Sequence, residues 1–126
     1  MVHQQSSTSA VDSARGSHFF RLADETIGWE PFLVGEQQIG EINLIRETVS
    51  GSDRSLVVAL WRSEPQTFSY HFETDETLYL IEGRVDIGYP DGTTVELHAG
   101  ESISFAKGHD TTWTVHKQSK KLFVAG

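Results

Sequence analysis

The chain alternates apolar and polar residues in short runs. The clearest run covers residues 67–73, where Phe68, Tyr70 and Phe72 alternate with polar side chains. Successive side chains of a β-strand point to opposite faces of the sheet. Burying each ring contributes about 1.5–3 kcal/mol. The pattern therefore predicts that the three rings face the core and that the polar residues between them face solvent or a second subunit.

Similar short runs recur along the rest of the chain. Further strands are predicted at residues 39–48, 56–61, 78–81, 85–89, 95–97, 103–105, 113–115 and 122–124. Residues 56–61 are apolar almost throughout, which predicts that both faces of that strand are buried. No helical period of 3.6 residues persists. Because strands that recur about every 8–12 residues are typical of a sandwich or a barrel, the chain is predicted to be all-β.

The segments between the strands are rich in turn-forming residues. Turns are predicted at residues 50–53, at Glu82-Gly83 and at Pro90-Asp91-Gly92. Residues 19–22 and 29–34 are apolar segments that are expected to lie across a sheet or to cover its edge.

The first 18 residues are polar and rich in Ser and Thr. Such a segment cannot bury enough apolar surface to offset its ordering entropy, so residues 1–18 are expected to form a flexible tail. They contain no apolar segment typical of a secretory signal, which favours a cytoplasmic location. Residues 19–126 are expected to form one domain, because 126 residues is an ordinary length for a single domain.

Composition excludes several kinds of chemistry. The chain has no Cys, which excludes disulfides, thiolate metal sites and cysteine nucleophiles. The formal net charge of −8 argues against nucleic acid, whose phosphates attract basic surfaces. No apolar run approaches the roughly 18–20 residues of a membrane helix, so no membrane association is expected. The three Trp, three Tyr and seven Phe favour an aromatic-lined interior.

Two motifs carry a family resemblance. The first reads FSYHFETDETLYLIEG, and its Glu76 and Gly83 match the spacing of a Glu and a Gly in the first cupin motif. The second reads GESISFAKGHDTTW, and its Gly100 and Gly108 match the second cupin motif, although Ala106 replaces a Pro. In order and separation, these motifs resemble those of the cupin superfamily.

The resemblance covers residues 55–126. The residues DETLYLIEGRV, the Pro-Asp-Gly turn, Trp113 and Lys121 are most similar to the ureidoglycine aminohydrolase-type cupin domain. The resemblance implies an antiparallel jelly-roll β-barrel, also called a double-stranded β-helix, with a small-molecule pocket inside. Cupins of this size commonly pair, so a homodimer is expected, and the apolar residues around 78–81 agree with burial on both faces there.

Metal-binding cupins take three His and one Glu from these two motifs, and Glu76 matches the Glu. The residues at the His positions are Ser69 and His71, or Tyr70 and Phe72 in the other register, and Thr111. Because catalytic zinc sites use about three protein ligands, no tightly bound metal is favoured. If a divalent Mn, Fe, Zn or Ni ion is bound, the reduced ligand set is expected to be His71, Glu76 and His109.

Glu76 is the main candidate catalytic residue. A carboxylate inside a barrel is suited to general acid or base chemistry, and the alternative is a hydrogen-bonded carboxylate without catalysis. His109 and Tyr70 are the other candidate catalytic residues, although a loop His is more often a surface residue. The candidate substrate-binding residues are Trp113, Phe72, Trp61, Thr111, Phe105 and Lys121.

Each candidate also has a structural interpretation. Aromatic rings commonly fill small barrels. Lys121 is exposed by default, and its alternatives are pairing with a ligand anion or with Glu76. Trp113 is expected to face inward because it follows Thr111 by two residues. His71 is expected at a solvated or subunit-facing position.

Three functions follow from this sequence. The first is a cupin that binds, and converts, a small polar metabolite with Glu76 as acid or base, by hydrolysis, isomerisation or elimination, without a tight metal. The second is a metal-dependent aminohydrolase- or oxygenase-like enzyme with the reduced ligand set. The third is a non-catalytic module that binds a sugar or another metabolite.

Overall fold

A computed structural model describes residues 18–50 and 54–126. Nearly all of the predicted tail, together with residues 51–53, lies outside the described residues. Eight strands make up the described fold: β1 Glu30–Val34, β2 Gln37–Ser50, β3 Arg54–Ser63, β4 Gln66–His71, β5 Glu76–Gly88, β6 Thr94–His98, β7 Ser102–Phe105 and β8 Asp110–Ala125. The predicted all-β class is confirmed, and the predicted apolar segment at residues 19–22 is not a strand.

Every pair of neighbouring strands is antiparallel. The order is β1-β2-β3-β8-β5-β6, with β4 also paired to β8 and β7 also paired to β5. The first half of β8 pairs with β4, and its second half pairs with β3. Because β5 follows β8 along nearly its whole length, these two long strands connect both halves of the barrel and enclose one core.

The predicted turn at Glu82-Gly83 is wrong, because β5 continues through it. The pairing with β8 shifts register there, and Gly83 has a φ of 99°. A Cβ atom at Gly83 would lie 2.6 Å from the Gln118 carbonyl oxygen, so only glycine fits this close approach between the strands. The sequence signal was a real irregularity, but it is a bulge inside a strand rather than a strand end.

The predicted register of β4 is confirmed. Phe68 and Phe72 are buried and Tyr70 is half-buried against the core, while the alternate residues are exposed. The predicted burial of both faces of β3 holds only in part. Trp61 is buried in the core, but Leu56 keeps 41% of its surface exposed.

Four strands, β1, β4, β6 and β7, each have a single ladder partner in the described residues, and two of them, β1 and β4, border an opening in the barrel. Among the ladders of the described residues, β1 pairs with β2 alone and β4 pairs with β8 alone. Residues of both strands nevertheless line the same depressions, so the two edges face each other without a hydrogen-bonded ladder. We call this gap the seam. No helix long and apolar enough to cross a membrane occurs in the part of the chain that the structure describes.

Candidate functional site

A small cavity lies inside the barrel behind the seam. It encloses about 20 Å³, which is room for roughly one water molecule. The residues that line this inner cavity are Phe32, Ile39, Trp61, Phe68, Tyr70, Glu76, Trp113, Lys121 and Phe123. Most of them are apolar or aromatic, and the two charged residues among them face each other.

Glu76 and Lys121 form a buried ion pair in this cavity. Lys121 Nζ donates a hydrogen bond to Glu76 Oε2 at 3.1 Å. The two residues are only 4% and 7% exposed. Glu76 begins β5 and Lys121 lies in β8, and strand alternation turns both side chains toward the core. The expectation of an exposed Lys121 is therefore wrong, and the predicted alternative of pairing with Glu76 is confirmed.

Three aromatic rings lie close to the Lys121 ammonium. The ammonium nitrogen lies 4.4 Å from the ring centre of Trp113, 4.9 Å from that of Trp61 and 5.1 Å from that of Phe123. Cations are attracted to such ring faces, most strongly to tryptophan. The ammonium is thus held by one carboxylate and an aromatic cage.

Tyr70 stands at the edge of the same cavity. Burial of its phenol, together with the negative charges of Glu76 and Glu73, raises the pKa of Tyr70 well above its usual range. The phenol therefore stays protonated at physiological pH and keeps its O–H as a hydrogen-bond donor. Its ring packs edge-on against Phe72, with ring centres 5.0 Å apart.

Burying the Glu76–Lys121 pair in the core of a small barrel requires a large desolvation free energy. Removing two charges from water costs several kcal/mol per ion, and well-packed apolar residues are often as stabilising or more so. A buried pair of opposite charges that lines a cavity is a candidate functional site, although structural pairs of this kind also occur. The cavity that holds the pair is lined by residues of β1 and β4, the two strands that border the seam.

The residues in the barrel do not fit a divalent metal ion. Glu76 already binds the Lys121 ammonium, and a second cation beside it would be repelled. The side chain at a predicted ligand position, Thr111, donates its hydroxyl to the Tyr70 carbonyl oxygen at 2.8 Å. Within residues 18–50 and 54–126, no three His, Asp or Glu side chains are grouped so as to hold a metal ion.

The two candidate histidines lie away from Glu76. His71 points outward from β4, and its Nδ1 lies 2.7 Å from Asp110 Oδ1 on the surface. His109 is exposed in the loop before β8 and packs edge-on against Tyr89, with ring centres 5.8 Å apart. Neither residue lines the inner cavity, so the structure does not assemble the predicted reduced ligand set.

The other candidates divide between cavity wall and core. Trp113 and Trp61 line the cavity, and Trp113 faces inward as predicted. Phe72 and Phe105 stack on each other with ring centres 4.4 Å apart, and neither ring lines the inner cavity. Thr111 is buried and accepts a hydrogen bond from Trp113 Nε1 at 3.1 Å, so its hydroxyl fixes neighbouring groups.

Sequence reasoning missed four cavity-lining residues. These are Phe32, Ile39, Phe68 and Phe123. Phe68 and Phe123 lie on strands that were predicted, and their inward positions follow from alternation. Phe32 lies on β1 and Ile39 on its partner β2, and the pairing of these two strands brings both residues to the same side of the cavity.

Comparison with known proteins identifies the family. The EutQ-like cupin domain model matches residues 50–123, more than half of the chain. None of the curated protein sequences matches this chain closely enough to count as a relative. Among solved structures, a DUF861 family protein from Thermotoga maritima is 30% identical, with 51% of this chain and 73% of that chain covered and a TM-score of 0.50.

Two further structures share the fold at lower identity. The EutQ protein of Clostridium difficile is 24% identical, with 74% of this chain and 73% of that chain covered and a TM-score of 0.57. A putative ethanolamine utilization protein Q from Salmonella typhimurium is 21% identical, with 67% and 68% covered and a TM-score of 0.53. With the jelly-roll strands and both motifs in place, this chain belongs to the EutQ-like cupin family.

Proposed function

We propose that this protein binds a small, polar organic molecule inside its barrel, at the Glu76–Lys121 pair, without a tightly bound metal. The observation that carries the proposal is the pair itself, a desolvated donor and acceptor 3.1 Å apart in an aromatic-lined cavity. Ligand sites of this kind are mostly apolar, with a few polar groups that orient the ligand.

The chemistry of the pair favours an uncharged ligand. The opposite charges of Glu76 and Lys121 cancel. An anion would be attracted by Lys121 but repelled by Glu76, and a cation would be attracted by Glu76 but repelled by Lys121. A neutral molecule with an acceptor beside a donor satisfies both groups. The rings of Trp61 and Trp113 are suited to stack on a planar part of such a molecule. Tyr70 supplies a further O–H donor at the cavity edge.

Glu76 is also the group best placed for catalysis. A carboxylate within hydrogen-bond reach of a bound molecule is able to accept or return a proton, as a general base or acid does. Lys121 would orient that carboxylate and hold the acceptor of the ligand. A non-catalytic binding module would use the same contacts, and the two functions differ only in turnover.

The finer resemblance to ureidoglycine aminohydrolase-type cupins does not extend to their activity. Tyr70, Phe72 and Thr111 occupy positions where metal-binding cupins carry His, and Lys121 provides the cation beside Glu76. A metal-dependent aminohydrolase or oxygenase is accordingly the less favoured function. The likeness to EutQ proteins lies below 25% identity and is a likeness of fold, so ethanolamine utilisation is not proposed for this chain.

A ligand screen on a matched set of variants tests the proposal. The variant carrying Glu76→Leu and Lys121→Met replaces the pair with apolar groups, and Lys120→Met removes the neighbouring surface lysine instead. We expect neutral amides or hydroxy compounds that raise the melting temperature of the wild type and of Lys120→Met to have no effect on the double variant. Equal binding by all three proteins would contradict the proposed site.

With a ligand identified, Glu76→Gln separates catalysis from binding. The amide keeps the size and an acceptor oxygen but does not take up a proton at neutral pH. We expect turnover to be lost while the dissociation constant changes little. Unchanged turnover would contradict the role of Glu76 and favour the binding module.

A further inference from the structure

The inner cavity is too small for the ligand that the proposed function requires. A volume of about 20 Å³ holds one water molecule and no organic compound. Ligand binding therefore requires part of the cavity wall to move. We expect a ligand to enter through the part of the cavity wall that has the fewest backbone hydrogen bonds.

The seam is that part of the wall. On one side of the seam, Phe32 and Ile39 come from β1 and β2, and on the other, Phe68 and Tyr70 come from β4. No backbone ladder crosses between β1 and β4 in the described residues. Elsewhere the lining residues lie on β3, β5 and β8, which are hydrogen-bonded to neighbours on both sides.

An open groove lies on the outer side of the same seam. This outer groove has a volume of about 480 Å³ and is lined by Val34 of β1, by Ser69, Tyr70 and His71 of β4, and by residues of the β5–β6 turn and of β8. Tyr70 lines both spaces, and β1 contributes one residue to each of them. The groove is large enough to receive a small organic molecule, whereas the inner cavity, at about 20 Å³, is not.

We propose that ligands pass from the outer groove to the Glu76–Lys121 pair through the seam, and that Phe32 is the residue that closes it. This inference rests on the proposed function. Phe32 is half-buried against the core while both of its neighbours on β1 are exposed. Its side chain is therefore the apolar contact of β1 with the barrel interior beside the cavity.

The local backbone of β1 permits the movement. β1 is a five-residue edge strand, and its pairing with β2 is irregular between Pro31 and Leu33, at the position of Phe32. Gly35, with a φ of 62°, forms the turn that joins β1 to β2. Few hydrogen bonds have to break for β1 to swing away from β4, and such weakly held elements open before the rest of a fold.

Acrylamide quenching of tryptophan fluorescence tests this route without a known ligand. Acrylamide is a small neutral amide, and Trp61 and Trp113 are buried in the cavity wall. Trp29→Phe removes the third tryptophan of the chain. In that background we expect Phe32→Ala to raise the quenching constant about tenfold, equivalent to lowering the opening free energy by about 1.4 kcal/mol. Phe32→Leu keeps a large apolar side chain at this position, and its quenching constant is expected to stay near the starting value.

Leu33→Ala is the matched control, because Leu33 is the next residue of β1 and points to solvent. We expect it to leave quenching unchanged. Quenching that is unaffected by Phe32→Ala in a protein whose circular dichroism is native, or that rises equally in Leu33→Ala, would overturn the inference.

A cross-link provides a second test, since the chain has no cysteine of its own. Val34→Cys and Ser69→Cys place one thiol on each side of the outer groove, and a short bis-maleimide joins them across the seam. Added to the Phe32→Ala protein, this bridge is expected to return quenching to the starting value; no change would overturn the route. Both tests measure access alone, so their failure is distinct from a failure of ligand binding at the pair.

Discussion

Lys121 of β8 donates a hydrogen bond to Glu76 of β5 in the interior of the barrel, across a distance of 3.1 Å. Each charge is the main polar partner of the other in a cavity otherwise lined by rings, Tyr70 and aliphatic carbon. The consequences of this pairing for stability, pH response and ion binding differ from those of a surface ion pair.

Removal of one partner alone should be strongly destabilising. Lys121→Met leaves the Glu76 carboxylate buried without its cation, and breaking a buried pair in this way typically costs about 3–5 kcal/mol. The double replacement Glu76→Leu with Lys121→Met should recover most of that loss. Urea denaturation measures both. The surface control Lys120→Met, which breaks an ion pair with Glu25, should change the unfolding free energy by less than about 1 kcal/mol.

Similar losses for the single and double variants would contradict this account. They would show that the side-chain packing of Lys121, rather than the charge left on Glu76, determines the effect.

Tyr70 should make the protein less stable in alkaline solution. Its pKa is raised in the folded state from the ordinary value of 10.0, chiefly by burial. The contribution of the Tyr70 phenol to the free energy of unfolding is fully present below pH 10. It declines above pH 10, because the phenol ionises in the unfolded chain while it stays protonated in the folded protein. Urea denaturation between neutral pH and pH 11 should show a steeper alkaline decline for the wild type than for Tyr70→Phe. Equal slopes would contradict the raised pKa.

Divalent ions should not stabilise the protein. Lys121 already pairs with Glu76, and the other two predicted ligands, His71 and His109, do not line the cavity. Melting temperatures measured with Mn²⁺, Fe²⁺, Zn²⁺ or Ni²⁺ and with a chelator should agree. A stoichiometric ion that raises the melting temperature of the wild type but not of Glu76→Gln would contradict the proposed metal-free site.

The homodimer expected from the sequence also remains a prediction, and the structure offers a face for it. The outer side of β5 and β8 exposes four large apolar side chains, those of Tyr79 (45%), Ile81 (39%), Leu122 (37%) and Val124 (40%). Tyr79 lies directly opposite Leu122 in the ladder. Because none of the four is charged, the centre of such a contact would not place like charges together.

Light scattering after size exclusion measures the assembly. We expect a dimer for the wild type and a monomer for Leu122→Lys, which places a charge in the centre of this face. Leu33→Lys, on exposed β1, is the control and should remain dimeric. A wild-type monomer at high protein concentration would contradict the prediction.

Alternation made part of this structure predictable from sequence. The spacing of Phe68, Tyr70 and Phe72 determined which face of β4 is buried, because side chains alternate across a strand whatever lies next to it. The motif spacing identified Glu76, and pairing with Lys121 was one of the predicted alternatives.

The remaining features depend on contacts between distant parts of the chain. Gly83 signals a turn and a bulge equally well, and only the close approach of β8 distinguishes them. His71 meets Asp110 across 39 positions of sequence, through the pairing of β4 with β8. Phe32 reaches the cavity only because the edges of β1 and β4 face each other, and no local pattern encodes that relationship.

The strand that carries Lys121 also determines when the barrel can form. β8 is the last strand in the order of the chain, and it pairs with β3, β4 and β5. Until it has been synthesised, β4 has no partner and the two halves of the barrel have no common strand. Until then, the aromatic side chains of the earlier strands remain exposed to solvent. Folding that depends on pairing between strands far apart in sequence is slow. The barrel therefore cannot be completed before β8 is available.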